Sequence, residues 1–408
     1  MGIYYFLLWI GVIGTFLSQD SRLKRTGFYI IFIYILALFV MVVFRYDVGT
    51  DYLEYTDYYY RIHSLFELTS EDFFVEPGYV LLSSLLRSIG APFELLSFIL
   101  FLIIVCNLKR AIAFFSDNIP LSVVLYVFLF FLSFHFNLIR HGVMVSFVWK
   151  GYSWWFVGKK KRAFISLVCG AMFHALSLCF LSLLFIHLRK YPIYIYAGVL
   201  VFSFIISAHP DWLLSLFDTL LSSIIGTDNR LFFYLNGGHS GVLNETGVTI
   251  GMFFNLTLFC VSYFLLIDKK SIFLYNILFI GITFFLLFNS FGAISERIAS
   301  TCYVANIFIL PSVLNLMYVN KWRFLCLAVI LLYGILMFNK EVSKESANLY
   351  NNIFSMVTLR ALEYILAFIL VPYLLRVLGP SNFGAVVFMQ GLMGYLVLVV
   401  NYGFNLTA

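Results

Sequence analysis

The residues able to do polar chemistry are few in this chain, and they cluster. FRYDVGTDYLEYTDYYY, residues 44–60, packs four carboxylates and six tyrosines into seventeen residues, directly after a very apolar run. If this segment begins helically, Asp47, Asp51 and Tyr55 share one face at i, i+4 and i+8. Gly49 between them lets the backbone turn or approach a ligand closely. Carboxylates accept sugar hydroxyls and aromatic rings cover apolar sugar faces, so this composition suits a glycan-binding mouth. The plainer reading is a solvated acidic loop whose tyrosines anchor at a membrane interface.

Arg140, in HFNLIRHGVMVSF, and Arg297, in AISERIASTCYV, each open an apolar run at the end away from most Lys and Arg. A guanidinium stays charged and carries donors in a rigid fork, which suits a lipid diphosphate. Alternatively each snorkels, or pairs with an acid such as Glu296. His174, in LVCGAMFHALSLCFL, is either a hydrogen-bonded structural residue or a base for an attacking hydroxyl. No GxxxxGK[ST], GxSxG or HExxH pattern is present. The cysteines are scattered without a CxxC pair, so they read as small apolar side chains. Neither a metal nor a cofactor is expected.

The elements that must position these groups follow from composition. Hydrophobic residues make up 62% of the 408, charged residues 11%, and the mean hydropathy is +0.97. A soluble domain carries about 25% charged residues, so this chain cannot cover its surface for water. The expectation is an all-α, polytopic helical membrane protein with about 11–13 spans and external polar loops. Apolar runs fall at 3–18, 27–44, 91–107, 119–136, 140–157, 163–187, 191–208, 248–267, 271–290, 297–319, 322–338, 353–372 and 384–401. The first reads as a span and not as a cleaved signal peptide, having neither a basic start nor a small-residue cleavage site.

The net charge of +6 resides in short clusters between these runs, so no nucleic-acid partner is expected. SRLKR (21–25), LKR (108–110), GKKKR (158–162), LRK (188–190), DKK (268–270) and NKWR (320–323) should face the cytoplasm. Segment 45–77, with eight acids against Arg45 and Arg61, and segment 209–247 should lie outside. GKKKR and LRK share a side only if 163–187 enters and returns, as a re-entrant hairpin broken near Phe173–Ala175 with His174 at its tip. The alternative is one long helix. Residues 77–89 are too short to span, and Pro77 fits a helix start at the outer face.

These landmarks carry a resemblance. FRYDVGTDYLEYTDYY, VEPGYVLLSSLLRSIGAPFELL, NLIRHGVMVSFVW, KKKRAFISLVCGAMFHALSL and ERIASTCYV, in this order, resemble the EpsG-like branch of Wzy-type polysaccharide polymerases over about residues 1–340. The resemblance implies a glycosyltransferase of the bacterial cytoplasmic (inner) membrane, multi-pass, with an outward-facing site. It would join oligosaccharide repeat units carried on undecaprenyl pyrophosphate, within membrane lipid and without a cofactor. A flippase and a chain-length regulator are the expected protein partners. Carried over, Arg45, Gly49 and Asp51 match the first motif, Glu76 and Pro77 the second, Arg140 the third, His174 the fourth and Arg297 the fifth. His141 departs from the pattern, which often has Gln there.

Asp51, Glu76 and His174 are therefore the candidate catalytic residues. Arg45, Asp47, Gly49, Tyr55, Arg140 and Arg297 are the candidate substrate-binding residues. Beyond a linker at 341–350, residues 351–408, with VPYLLRVLGPSNFGAVVF and NYGFNLTA, resemble the start of a Wzx-type oligosaccharide flippase. A flippase needs many more helices than this stretch can form, so a fusion or a joined reading frame is the expectation. Transport of lipid-linked sugar is the rival function, and a membrane O-acyltransferase, which would also use an embedded His, is a third.

Overall fold

The computed structural model describes residues 2–19, 22–45, 48–185, 189–208, 250–265, 267–289, 292–316, 327 and 330–339. The chain divides into compact units Met1–Ala347 and Asn348–Ala408. The second unit, the expected linker 341–350 and the expected loop 209–247 lie outside the described residues.

All regular structure among the described residues is helical, as the apolar runs require of a polytopic membrane protein. Helices α1 (Gly2–Gln19) and α2 (Lys24–Val43) pack along each other. A Cβ on Gly27 would sit 2.5 Å from Ser18 N, so only glycine allows this approach. The other face of α2 exposes Tyr29, Phe32, Ile33, Leu36 and Val40, a surface suited to lipid and not to water. A short helix, α3 (Tyr52–Arg61), precedes α4 (Pro77–Ser88), which has Pro77 in its first turn as expected. Helix α5 runs over Phe93–Phe115. It therefore contains the LKR cluster expected beyond residue 107, because Leu108, Ala111, Ile112 and Phe115 go on burying the same face.

The run expected as one span at 119–136 is instead α6 (Ile119–Tyr126) followed by two wide π-helical turns, Val127–Phe131 and Ser133–Asn137. Leu138 then breaks the ladder before α7 (Ile139–Phe156). Such widened turns recur at functional sites, and here they set the entry of α7, whose second residue is Arg140. Gly158, at φ +78, turns the chain into α8 (Lys160–Ala171), which packs back along α7.

Helix α8 ends at Ala171 and the chain resumes as a 3-10 helix, Ala175–Phe185. An eleven-residue 3-10 run is unusual, and it returns the way it came. Ser177 Oγ donates to Leu167 O (2.7 Å), and Tyr152 Oη to Phe180 O (3.2 Å). The Phe185 ring lies 6.0 Å from that of Trp155, in the last turn of α7. Residues 160–185 thus enter and come back, placing His174 at the far tip.

The remaining described helices are α9 (Ile193–Ser207), α10 (Ile250–Leu265), α11 (Lys269–Leu287), α12 (Gly292–Tyr303), α13 (Asn306–Leu316) and α14 (Ile330–Asn339). The run expected as one span at 297–319 is bent at Val304–Ala305, between α12 and α13. α2, α5, α11 and Ser295–Asn315 are each long and apolar enough to cross a membrane, and shorter apolar helices accompany them. Trp149, Phe115, Phe273 and Phe308 fill the centre, and Trp149 Nε1 donates to Thr301 O (3.0 Å).

One end of the bundle is basic. The guanidinium of Arg110 lies 3.8 Å from the Trp154 ring, with Arg162 and Lys159 each 5.0 Å away. Lys270 Nζ donates to Phe114 O (3.0 Å), and Asn276 Nδ2 to Arg189 O (3.1 Å). LKR, GKKKR, Arg189 and DKK therefore share one level. In a cysteine-free background, Lys161→Cys and Arg189→Cys should react with a membrane-impermeant maleimide from the same side of the membrane. Labelling from opposite sides would mean that 160–190 crosses as one helix.

Candidate functional site

The acidic segment is built on Arg45. This side chain is only 3% exposed, and its Nη1 donates to His135 O (2.8 Å) and Phe136 O (2.9 Å) in the second π-helical turn. The rings of Tyr52 and Phe136 lie 5.4 and 5.1 Å from the guanidinium. Thr50 N donates to Asn137 Oδ1 (3.0 Å) on the same turn. Gly49, at φ +108, passes so near that a Cβ would lie 2.7 Å from Phe136 O. The close approach expected of Gly49 is thus to the protein's own backbone. Arg45, expected to bind substrate, is instead beneath the site and fixes the loop to the bundle.

The expected stripe Asp47–Asp51–Tyr55 does not form on one helix. Helix α2 ends at Val43, the chain turns at Gly49, and α3 starts only at Tyr52, so Asp51 caps a new helix. Asp47 lies outside the described residues. The acids of the segment also divide by task. Asp72, 3% exposed, accepts hydrogen bonds from His63 N (2.9 Å), His63 Nδ1 (2.8 Å), Thr69 N (2.7 Å) and Thr69 Oγ1 (2.9 Å). Burial opposes its ionisation, but these donors outweigh burial and hold the carboxyl well below the usual range. Asp57 is an exposed partner of Arg61 at 3.8 Å. Glu54 accepts from Tyr58 Oη; burial, then this contact, pushes the Tyr58 phenol up to about 12.

Above this base, groups from five separated stretches converge. Arg140 Nη1 pairs with Glu76 Oε2, and both side chains are about one quarter exposed. Glu76 precedes the first turn of α4, and Gly78 N in that turn donates to Met172 O (2.7 Å) at the break after α8. That bond sets Glu76 within electrostatic reach of His174, as are Arg140 and Arg297. The Asp51 carboxyl lies within reach of Arg297 and Arg140. Burial raises its pKa above the usual carboxylate value; a hydrogen bond from Thr50 Oγ1 (2.8 Å) and the two arginines temper the rise. Arg297, half-exposed on α12, makes no ion pair among the described residues.

Aromatic rings wall the cluster. The guanidinium of Arg140 lies 5.6 Å from the Tyr55 ring and 5.9 Å from that of Tyr58. Tyr79 Oη donates to Tyr55 O (3.1 Å) and joins α4 to α3. The structure therefore brings together Asp51, Glu76, Arg140, His174 and Arg297, with Tyr55 as the floor under Arg140. Three neighbours were missed in the sequence: Tyr58, Tyr79 and His141. Tyr58 follows Tyr55 by three positions, a helical spacing that does signal a shared face. Tyr79 had only its place in the second motif to recommend it, and His141 only its departure from the family pattern. The site's make-up, cations beside carboxylates with a ring-lined wall, can bind an anionic leaving group next to a proton acceptor.

A family model described as the EpsG family matches residues 28–355, and one described as polysaccharide biosynthesis protein matches residues 349–408. Over 67 residues the chain is 43% identical to a putative O-antigen transporter of Escherichia coli (strain K12). That stretch is 16% of this chain and 16% of the transporter. No solved structure matches.

Arg45→Ala should act through stability. Each buried carbonyl left without its donor costs about 1–3 kcal/mol, so the variant should melt at a lower temperature in detergent, whereas Arg297→Ala should not. A native melting temperature for Arg45→Ala, with activity lost, would put Arg45 in contact with substrate after all.

Proposed function

The chain belongs to the EpsG family, a membrane family of polysaccharide biosynthesis, and on that premise we propose that it is a glycosyltransferase using a lipid-pyrophosphate donor. It polymerises oligosaccharide repeat units carried on undecaprenyl pyrophosphate, at the face of the bacterial inner membrane away from the basic end. The observation that carries this reading is the convergence of Arg140 and Arg297 with Asp51, Glu76 and His174 at the end opposite the Lys and Arg clusters.

In the reaction the bond between the donor's anomeric carbon and its pyrophosphate oxygen breaks. The electron pair leaves with the lipid pyrophosphate, and a hydroxyl oxygen of the acceptor sugar bonds to that carbon. Arg297, without an ion-pair partner among the described residues, and Arg140 stabilise the departing charge. The hydroxyl proton passes to a carboxylate. Glu76 is already committed to Arg140, which leaves Asp51 as the acceptor. His174 Nδ1 accepts from Leu176 N (3.4 Å), so its neutral ring carries the proton on Nε2 and serves as a donor towards phosphate oxygen. Tyr55 and Tyr58 offer ring faces to sugar.

Transport of lipid-linked sugar is favoured only by the match over residues 349–408 and by the likeness to the putative O-antigen transporter. Chain-length analysis of surface polysaccharide separates the two functions. Asp51→Asn should leave single repeat units at the surface and no polymer, with the protein present at its normal level. Removing residues 348–408 should leave polymer formation intact. In purified protein, activity should fall with decreasing pH as Asp51 is protonated, at a higher pH than an ordinary carboxylate would give. Normal-length polymer from Asp51→Asn, or absence of repeat units from the surface, would refute the reading.

A further inference from the structure

His141 is the second histidine at the tip of the bundle, and the mechanism above makes no use of it. It follows Arg140 in the first turn of α7 and is 2% exposed. Its Nε2 lies 3.3 Å from Ser300 Oγ and 3.3 Å from Thr301 Oγ1, both on α12. Each of those hydroxyls already donates its single proton to Arg297 O, at 3.1 and 3.0 Å. Towards the imidazole they can therefore only accept. Nε2 must then carry the hydrogen and share it between the two oxygens, and Nδ1 of the neutral ring is a bare acceptor. That atom is buried without a hydrogen-bond partner among the described residues. The ring stands edge-to-face against His174 (5.4 Å) and against Phe134 (5.6 Å).

Arg297 on α12 lies within electrostatic reach of this ring, as does His174 at the tip of the hairpin, while Arg140 is the preceding residue. Glu76, the nearby acid of α4, is engaged by Arg140.

We propose that His141 is a positioning residue: a neutral donor that locks the Arg297 turn of α12 onto the first turn of α7. One ring then fixes the separation of the two guanidinium groups, because Arg140 is its chain neighbour and Arg297 supplies the carbonyl to which both accepting hydroxyls are tied. This inference rests on the reading of Arg140 and Arg297 as the pyrophosphate clamp. Glutamine reproduces the neutral ring's equipment, one donor group and one acceptor, without a titratable proton. Leucine fills the space with neither.

The test measures polymer formed by purified protein from undecaprenyl-pyrophosphate-linked repeat units, with KM for the donor and the pH profile, on protein checked for native melting temperature. His141→Leu should lose about tenfold or more in kcat/KM, about the effect of misplacing one charge-assisted hydrogen bond. His141→Gln should recover most of that loss and keep the wild-type pH profile. The double variant Ser300→Ala with Thr301→Val should share the loss, and adding His141→Leu to it should cost little more. A fully active leucine variant, a fully active double variant, or a folded glutamine variant as poor as leucine would each overturn the proposal. Wild-type protein that forms no polymer would instead count against the polymerase reading itself.

Discussion

A guanidinium near membrane depth is tolerable only where something in the protein answers its charge, and for Arg140 that partner is Glu76. The pair joins the first turn of a long buried helix to the start of the short helix α4. It could not form unless α4 were held against the bundle, and Gly78 accomplishes this through its bond to Met172 O. A Cβ at that position would lie 2.8 Å from the same oxygen, so the contact admits only glycine. Through this bond the break in the hairpin, helix α4 and the arginine are fixed together, and His174 comes within reach of Glu76.

Beneath the pair the structure is unusually rich in rings that do two jobs. Tyr55 and Tyr79 tie α3 to α4, and Tyr55 and Tyr58 lie beside the cation. At the opposite end Trp154 and Trp155 gather lysines and arginines in the same manner. The protein is thus polarised along its helices. One end presents basic side chains over indole rings, as membrane-anchoring interfaces do. The other concentrates carboxylates and phenols around two arginines. A substrate with an anionic carrier and a neutral, hydroxyl-rich cargo finds both kinds of partner only at the second end.

Much of this was legible in the sequence because membrane folding imposes strong rules. The apolar runs announced helices, and the clash between GKKKR and LRK announced a chain that goes in and comes back. His174 was expected near the tip, and the structure breaks the helix beside it, at Met172–His174. Asp51, Glu76, Arg140 and Arg297 were picked out as ionisable groups flanking hydrocarbon, and the fold gathers them. Other features were hidden for physical reasons. The stripe Asp47–Asp51–Tyr55 presumed one helix, whereas Gly49 at positive φ starts another. Arg45 had the right type and place for a ligand contact, but its Nη1 donates to two carbonyls about ninety residues away in the sequence, a pairing that no local pattern encodes. The π-helical turns at 127–137 arise in a phenylalanine-rich run without Gly or Pro, so nothing marked them. His141 stands out in the sequence only as a departure from the motif; its role needs Ser300 and Thr301 beside it.

Arg140 and Arg297 are proposed to form one diphosphate site at the acidic end of the bundle. Cryo-electron microscopy of the protein with undecaprenyl pyrophosphate in nanodiscs tests it most directly. Diphosphate density is expected between the two guanidinium groups, with Asp51 and His174 at its edge and the first carbons of the lipid descending between helices. Diphosphate bound at the basic end, among Arg110, Lys159 and Arg162, or bound by neither arginine, would contradict it.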